Sequence, residues 1–432
     1  MKNFLFSAKF MERFLPADKS QSQAPFKSKD FSRNRILTLP VVLALILNMV
    51  RPGKRVGYDE VLARFFAAAS LMNGQNITPP DKSAFCRARK KVPFEALTEL
   101  YGKALEHAKD LAAKAPGTTW RGRRVLAIDG TKIMLPRTKE LLDAFGKCSH
   151  GWFPQTHACV LYDVLAGLPL DVAWGHYKSG ERGLARDMFD GFLPGDILVL
   201  DRGFPGFAFF LDLMEQGIDF IVRLRGDGQF AALRPFLQEN RRDQIIEIPP
   251  TRVAIEEYAR QGKPAPGPVT LRFVKVSLGK GKSALYATTL VDRKRYKFKE
   301  LKHLYHLRWQ EEEFFKHMKD LLEAENIRGK SEALVDQEIV AVHLYHLLAR
   351  ILIMESALRH EIPLAEVAQR AAFYATARVL DFLLLLDDRQ ELRRLLKNCL
   401  EEISRKRYKR RPGRKFPRKS KSSYGKWGIQ NT

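Results

Sequence analysis

The stretch Tyr305-His306-Leu307-Arg308-Trp309-Gln310-Glu311-Glu312-Glu313-Phe314-Phe315-Lys316-His317-Met318-Lys319 carries the densest chemical pattern in the chain. At about 100° per residue on a helix, Tyr305, Arg308, Glu312 and Lys319 project within roughly 60° of one another. A phenol, a guanidinium, a carboxylate and an ammonium then share one polar line. Leu304, Leu307, Phe314, Phe315, Met318 and Leu322 gather on the neighbouring face, as on a helix packed against a sheet with one edge in a cleft. The plain alternative is a solvated face, in which Arg308–Glu312 and Glu312–Lys316 pairs each contribute about 0.3 kcal/mol. Acidic residues far upstream decide between the two.

Residues 124–128 read as a short apolar strand ending in Asp129-Gly130-Thr131, with 132–135 as its hairpin partner. Residues 196–200 read as another, ending in Asp201-Arg202-Gly203-Phe204. Between them lie strand-like runs at 157–163 and 168–174, joined by the turn Val164-Leu165-Ala166-Gly167, and a helix near 182–192. A helix over 206–216 and a strand over 219–224 complete an α/β mixed sheet. Residues 226–294 hold a helix near 229–238 and three strand-like runs, 244–248, 269–278 and 284–291, an inserted and mostly β segment. Within it, Gly279-Lys280-Gly281-Lys282-Ser283 resembles the end of a phosphate-binding loop. The earlier glycine falls at Val276 and no helix follows, so a hairpin turn is the reading. The polar line sits on a helix over about 298–322, followed by apolar helices over 334–358 and 364–386 that read as core.

Towards the N-terminus the period is helical over 39–50, 58–71, 82–91 and 93–112, with breaks at Pro52-Gly53 and Pro79-Pro80, which reads as a small helical domain. Its segment Ser83-Ala84-Phe85-Cys86-Arg87-Ala88-Arg89-Lys90-Lys91 suits a DNA-reading helix or, equally, a surface helix with a basic face. The whole chain of 432 residues carries 74 Lys and Arg against 49 Asp and Glu, a formal net charge of +25. Such an excess repels itself unless it meets a polyanion, and nucleic acid leads. The apolar run 36–50 is too short to span a bilayer, and the charged N-terminus lacks the apolar core of a secretion signal, so a cytoplasmic protein is expected. Cys86, Cys148, Cys159 and Cys399 form no CxxC pair, which excludes a zinc knuckle or disulfide framework as the organising device. His303, His306 and His317 lack neighbouring thiols or an HExxH spacing and read as surface or phosphate-facing residues. Residues 1–33 read as a mobile arm or a loosely docked segment. The tail carries Arg405-Lys406-Arg407-Tyr408-Lys409-Arg410-Arg411 with aromatics interspersed, a segment expected to order on DNA backbone.

Two aspartates after short strands and a glutamate on a later helix form a set that suits hard divalent cations, which take few carboxylates and leave positions for phosphate oxygens and water. Two such ions serve an in-line displacement at a phosphodiester. With its order of strand-Asp, strand-Asp, β insertion and helix-Glu, the chain resembles the DDE transposases of bacterial insertion sequences. Its resemblance is to the group marked by a Tyr-x2-Arg-x3-Glu-x6-Lys signature, the IS-four family. Tyr305, Arg308, Glu312 and Lys319 reproduce that spacing, and Asp129-Gly130-Thr131 and Asp201-Arg202-Gly203-Phe204 match the two aspartate blocks.

The resemblance implies a ribonuclease-H-like catalytic core with an inserted, mostly β subdomain and a helical N-terminal domain. The expected layout is 1–118 helical DNA-binding domain, 119–225 first part of the core, 226–294 insertion, 295–400 second part of the core and 401–432 basic tail. It implies that Asp129, Asp201 and Glu312 bind two Mg²⁺ or Mn²⁺ ions and that Tyr305, Arg308 and Lys319 contact phosphates near the element end. Expected partners are double-stranded DNA, both terminal inverted repeats and target, and a second copy of the chain as a homodimer in the DNA complex. The setting is a bacterial cytoplasm, on the nucleoid. Hairpin-forming relatives hold a flipped base with a tryptophan of the insertion, yet 202–308 contains none, leaving Tyr258, Phe273 or Tyr286 as substitutes. Two other readings compete: a ribonuclease-H-like nuclease that cuts without joining, and a transposase-derived DNA-binding protein without catalysis.

Overall fold

The computed structural model describes residues 30–31, 36–53, 56–225, 230–239, 241–279, 282–385 and 388–408. Most of the expected N-terminal arm and the tail beyond Tyr408 lie outside the described residues. The elements begin with α1 (Leu39–Asn48), α2 (Tyr58–Asn73), α3 (Lys82–Arg89), α4 (Phe94–Lys114), β1 (Val125–Met134), α5 (Lys139–Phe145), β2 (Gln155–Asp163) and β3 (Leu168–His176). They continue with α6 (Glu181–Asp187), β4 (Ile197–Leu200), α7 (Phe207–Glu215), β5 (Asp219–Leu224), α8 (Arg234–Gln238), β6 (Asp243–Ile248), α9 (Arg252–Arg260), β7 (Val269–Gly279) and β8 (Lys282–Thr288). Last come α10 (Phe298–His306), α11 (Trp309–Lys316), α12 (Glu332–Arg359), α13 (Gln369–Leu385) and α14 (Arg389–Arg405). The chain divides into two compact units: Met1–Gly117 with Ile133–Thr156 and Phe315–Thr432, and Thr118–Lys132 with His157–Phe314.

The first unit is helical and built round α12, whose residues are buried on nearly every side. A helix apolar all round has its place in a core. By length and composition α12 could cross a membrane, but nearly all of its apolar residues are buried inside the protein. Helices α1, α4, α13 and α14 pack against it. Pro40 lies in the first turn of α1, where a missing N–H breaks no helical bond. The expected basic helix is α3, capped by Asp81, and its arginines divide. Arg87, Lys90 and Lys91 are exposed, whereas Arg89 is buried. Helix α13 starts at Gln369, later than its apolar pattern suggests. Leu364–Glu366 forms a 3₁₀ turn and Val367 is extended, paired in an isolated bridge with Arg407. Three helices among the described residues, α5, α9 and α14, have no counterpart in the sequence reading, and each starts at a side-chain cap, Thr138, Thr251 and Asp388.

The second unit is an α/β unit with an eight-stranded mixed sheet in the order β3-β2-β1-β4-β5-β8-β7-β6. Strands β1, β4 and β5 are parallel neighbours, and β5, β8, β7 and β6 pair antiparallel. All four residues of β4 are fully buried, as expected of a central parallel strand covered on both faces. Part of that cover is α7, whose Phe210 stacks on Phe220 of β5 at 4.5 Å. The runs expected at 244–248, 269–278 and 284–291 form β6, β7 and β8, and they extend the central sheet beyond β5. Two details differ from the sequence reading. Residues expected to make a hairpin at Asp129-Gly130 instead form one continuous strand, β1, and Gly130 does not adopt the left-handed backbone that a tight turn would need. The helix expected over 298–322 is broken: α10 ends at His306, α11 starts at Trp309, and His317–Leu321 is a π turn.

Candidate active site

Strands β1 and β4 run in register, Val125 opposite Ile197 and Ala127 opposite Val199. The same register, carried two residues further, brings Asp129 of β1 beside Asp201 at the end of β4. The ends of parallel strands are where open α/β sheets leave room for ligands. Asp129 is partly buried, and its carboxyl is pushed up to about 6. Burial is the main cause; Asp201 and Glu181 add repulsion, while Arg308 and the 2.8 Å bond from the Gly130 amide act the other way. Asp201 Oδ1 accepts from the Gly203 amide at 2.6 Å.

The break between α10 and α11 sets the two neighbouring glutamates in different surroundings. Leu307, Arg308, Gln310 and Glu311 all donate their amides three residues back, to Leu304, Tyr305, Leu307 and Arg308. Such 3₁₀-type bonding turns each residue by about 120° instead of 100°, so the single polar line expected of an ideal helix is rotated apart at this point. Glu312 is accordingly held by Arg308, whose Nη2 donates to Oε1 at 2.5 Å. Its neighbour Glu311 is fully buried, and neither of its oxygens has a hydrogen-bond partner. The Arg308 guanidinium approaches Glu311 only to 4.0 Å. Burial pushes the Glu311 carboxyl well above the usual range, and repulsion from Asp129 and Asp201 adds to it, against the pull of Arg308. Tyr305 lies with Tyr286, ring centroids 4.4 Å apart, and burial pushes its phenol up to about 12. Asp201, Arg308 and Arg223 all act on it electrostatically.

Five of the six residues singled out from the sequence therefore fall in the second unit: Asp129, Asp201, Glu312, Tyr305 and Arg308. Lys319 belongs to the first unit, in the π turn, with Nζ 2.9 Å from Glu325. The reading of Tyr258, Phe273 or Tyr286 as a stacking platform for a flipped base does not hold. All three are buried, with 6%, 0% and 4% of their surface exposed, so none presents a ring face to DNA. The sequence reading missed Glu181, Glu311 and His157. Glu311 was hidden by its place in the triplet Glu311-Glu312-Glu313, where only spacing separated the three. Glu181 follows Gly180 at the start of a seven-residue helix, with no motif to mark it.

Among the described residues no three His, Cys, Asp or Glu side chains already converge on one cation position. The donor set is nonetheless of the kind hard cations take, carboxylate oxygens alone, and its mutual repulsion and the orphaned oxygens of Glu311 are what a bound cation relieves. Residues 120–348 match the family model described as transposase DDE domain. The chain is 24% identical over 326 residues to the transposase InsG for insertion sequence element IS4 of Escherichia coli strain K12, covering 74% of this chain and 70% of that protein. Among solved structures it is similar to the piggyBac transposase synaptic complex with hairpin DNA, at a TM-score of 0.40 and 9% identity, covering 84% of this chain and 75% of that one.

Proposed function

Because the chain belongs to the family of transposases with a DDE domain, we propose that Asp129, Asp201 and Glu312 are its catalytic carboxylates. The protein is a DNA transposase, an enzyme of metal-dependent DNA cleavage and transfer. One observation carries the assignment of residues: Asp129, midway along β1, and Asp201, just past the end of β4, stand side by side by strand register, in a partly buried place where Asp201 adds repulsion to the Asp129 carboxyl. Two Mg²⁺ or Mn²⁺ ions held there would supply the positive charge that activates a water or a 3′-hydroxyl and steadies the leaving oxygen. The sheet with its flanking helices is the ribonuclease-H-like core, interrupted between Asp201 and Glu312 by the β6–β8 segment.

Arg308 and Glu312 act as a pair. In the free protein the guanidinium occupies the carboxylate. A DNA phosphate offers Arg308 an equivalent bidentate partner and frees Glu312 for the cation site. Tyr305, its phenol kept protonated at neutral pH, donates a hydrogen bond to the same strand, and Lys319 adds a point charge. The exposed Arg87, Lys90 and Lys91 of the N-terminal helices, together with the basic tail, bind DNA backbone, in keeping with the net charge of +25. The functional layout follows the sequence blocks 1–118, 119–225, 226–294, 295–400 and 401–432, and two copies of the chain pair two element ends.

The test is end cleavage and joining by the purified chain on DNA bearing the element's own terminal repeats, with Mg²⁺ or Mn²⁺. Asp129→Ala, Asp201→Ala and Glu312→Ala are each expected to bind the ends and to lose cleavage by about a thousandfold or more, in line with losing a principal catalytic group. Variants as active as wild type sink the assignment, and cutting without joining leaves a nuclease.

A further inference from the structure

A glutamate outside every recognised motif stands close to the backbone beside both Asp129 and Asp201. Glu181 opens α6, and its side chain is 33% exposed. A methyl group built on Gly130, next to Asp129, would meet Glu181 Oε1 at 2.9 Å. One built on Gly203, just past Asp201, would meet Oε2 at 3.3 Å. The two oxygens of one carboxylate thus face the backbone beside both aspartates at once, and glycine at 130 and 203 leaves them the room. His157 Nε2 lies 3.7 Å from Oε1, and its ring is fixed by a 2.7 Å contact of Nδ1 with the Ser179 carbonyl oxygen. That contact orients the imidazole towards the carboxylate.

Acidic side chains gathered in this way repel one another, and a cluster alone says nothing of a ligand. Glu311 supplies the independent sign: its carboxyl is 0% exposed, lies within electrostatic reach of Asp129 and Asp201, and leaves both oxygens without a hydrogen-bond partner. A buried carboxyl without a hydrogen-bond partner calls for an explanation, and a ligand from outside the chain is one.

We propose that Glu181 is a fourth carboxylate ligand of the divalent-cation site formed by Asp129 and Asp201, steadied by His157. The inference rests on the reading of that site given above. A hard cation accepts a further carboxylate oxygen in place of a water, which raises its affinity before any DNA phosphate arrives. Glu181 therefore sets how firmly the free protein holds its cation.

The experiment is a Mn²⁺ titration of the full chain without DNA, read by electron paramagnetic resonance. It compares wild type with Glu181→Gln, Glu181→Asp and Asp201→Asn, each checked for its melting transition by circular dichroism. Glu181→Gln is expected to weaken Mn²⁺ by about tenfold or more, with Glu181→Asp in between, and Asp201→Asn by at least as much. Wild-type affinity in Glu181→Gln beside a weakened Asp201→Asn overturns the inference and leaves the aspartate site standing. Absence of Mn²⁺ binding by wild type, or an unaffected Asp201→Asn, overturns both. Iron-directed hydroxyl-radical cleavage of the wild-type backbone needs no variant: cuts near 129, 181 and 201 are expected, and their absence near 181 counts against Glu181 as ligand.

Discussion

Two polar centres, one in each unit, are built on opposite terms. In the helical unit, Arg89 of α3 lies against Glu338 of α12 with 1% and 2% of their side chains exposed. Arg89 Nη2 donates to Glu338 Oε1 at 3.2 Å, and Nη1 donates to the Tyr58 hydroxyl at 2.9 Å. Gln337 Nε2 donates to the Arg89 carbonyl at 2.9 Å, and Glu338 Oε2 accepts the Arg328 amide at 3.0 Å. Opposite charges meet and each found partner is internal. In the α/β unit, Asp129, Asp201, Glu181 and Glu311 bring like charges together, and Glu311 has no hydrogen-bond partner. Folding alone selects the first arrangement, since an unanswered buried charge costs stability. On the function proposed above, the second is answered by the bound cation.

The sharpest way to break the comparison is to make the satisfied centre resemble the other. Glu338→Ala removes one partner and strands the Arg89 guanidinium in the core. A loss of about 3–5 kcal/mol in urea unfolding is expected, with Mn²⁺ affinity unchanged in whatever folded fraction remains. A loss under about 1 kcal/mol would mean that water reaches Arg89 and that the centre is not the sealed network it resembles.

The converse substitution relieves the unsatisfied centre. Asp129→Asn keeps the shape and removes the charge, so the metal-free chain should gain roughly 2–3 kcal/mol at pH 7, from a shift between 3.8 and about 6 at 1.36 kcal/mol per unit. The sign follows from the folded value lying above the unfolded one: the folded chain holds the proton more tightly. Wild type accordingly loses stability as pH rises from about 4 to about 6 and carries the full penalty above that. The gain in Asp129→Asn should fade as pH falls below about 6 and vanish below about 4. Melting temperatures across that range, in chelator, decide it; a gain independent of pH would assign the effect to packing.

The contrast also explains what could be read from the sequence. Asp129 and Asp201 were legible because an acid that closes a short apolar run is a local pattern, and parallel pairing brings the two together by register alone. The α/β unit and the helical unit were legible from periodicity for the same reason. The break at Leu307–Arg308 was not, because it arises from three-residue bonding that no residue type in the stretch demands; neither glycine nor proline marks it. With it went the role of Glu311, one residue from the glutamate that spacing selects. Arg89 likewise looked like part of a basic face, since its partner Glu338 lies 249 residues away in the chain. Long-range pairing is what a linear reading lacks.

The smallest effect tests whether Glu311 is structural after all. Its side chain is enclosed, so Glu311→Met replaces a carboxyl with an apolar group of similar length that fits without a new polar demand. If the two oxygens are unanswered in the metal-free protein, removing them should stabilise the chain by about 1 kcal/mol, the low end of the cost of an unsatisfied buried group. Urea unfolding in chelator measures this directly, and Mn²⁺ should narrow the difference by stabilising wild type more than the variant. A destabilised Glu311→Met in chelator would show that water or a side chain already satisfies the carboxyl. Glu311 would then belong with Glu338 among the residues that hold the fold, and the difference between the two centres would shrink to Asp129, Asp201 and Glu181.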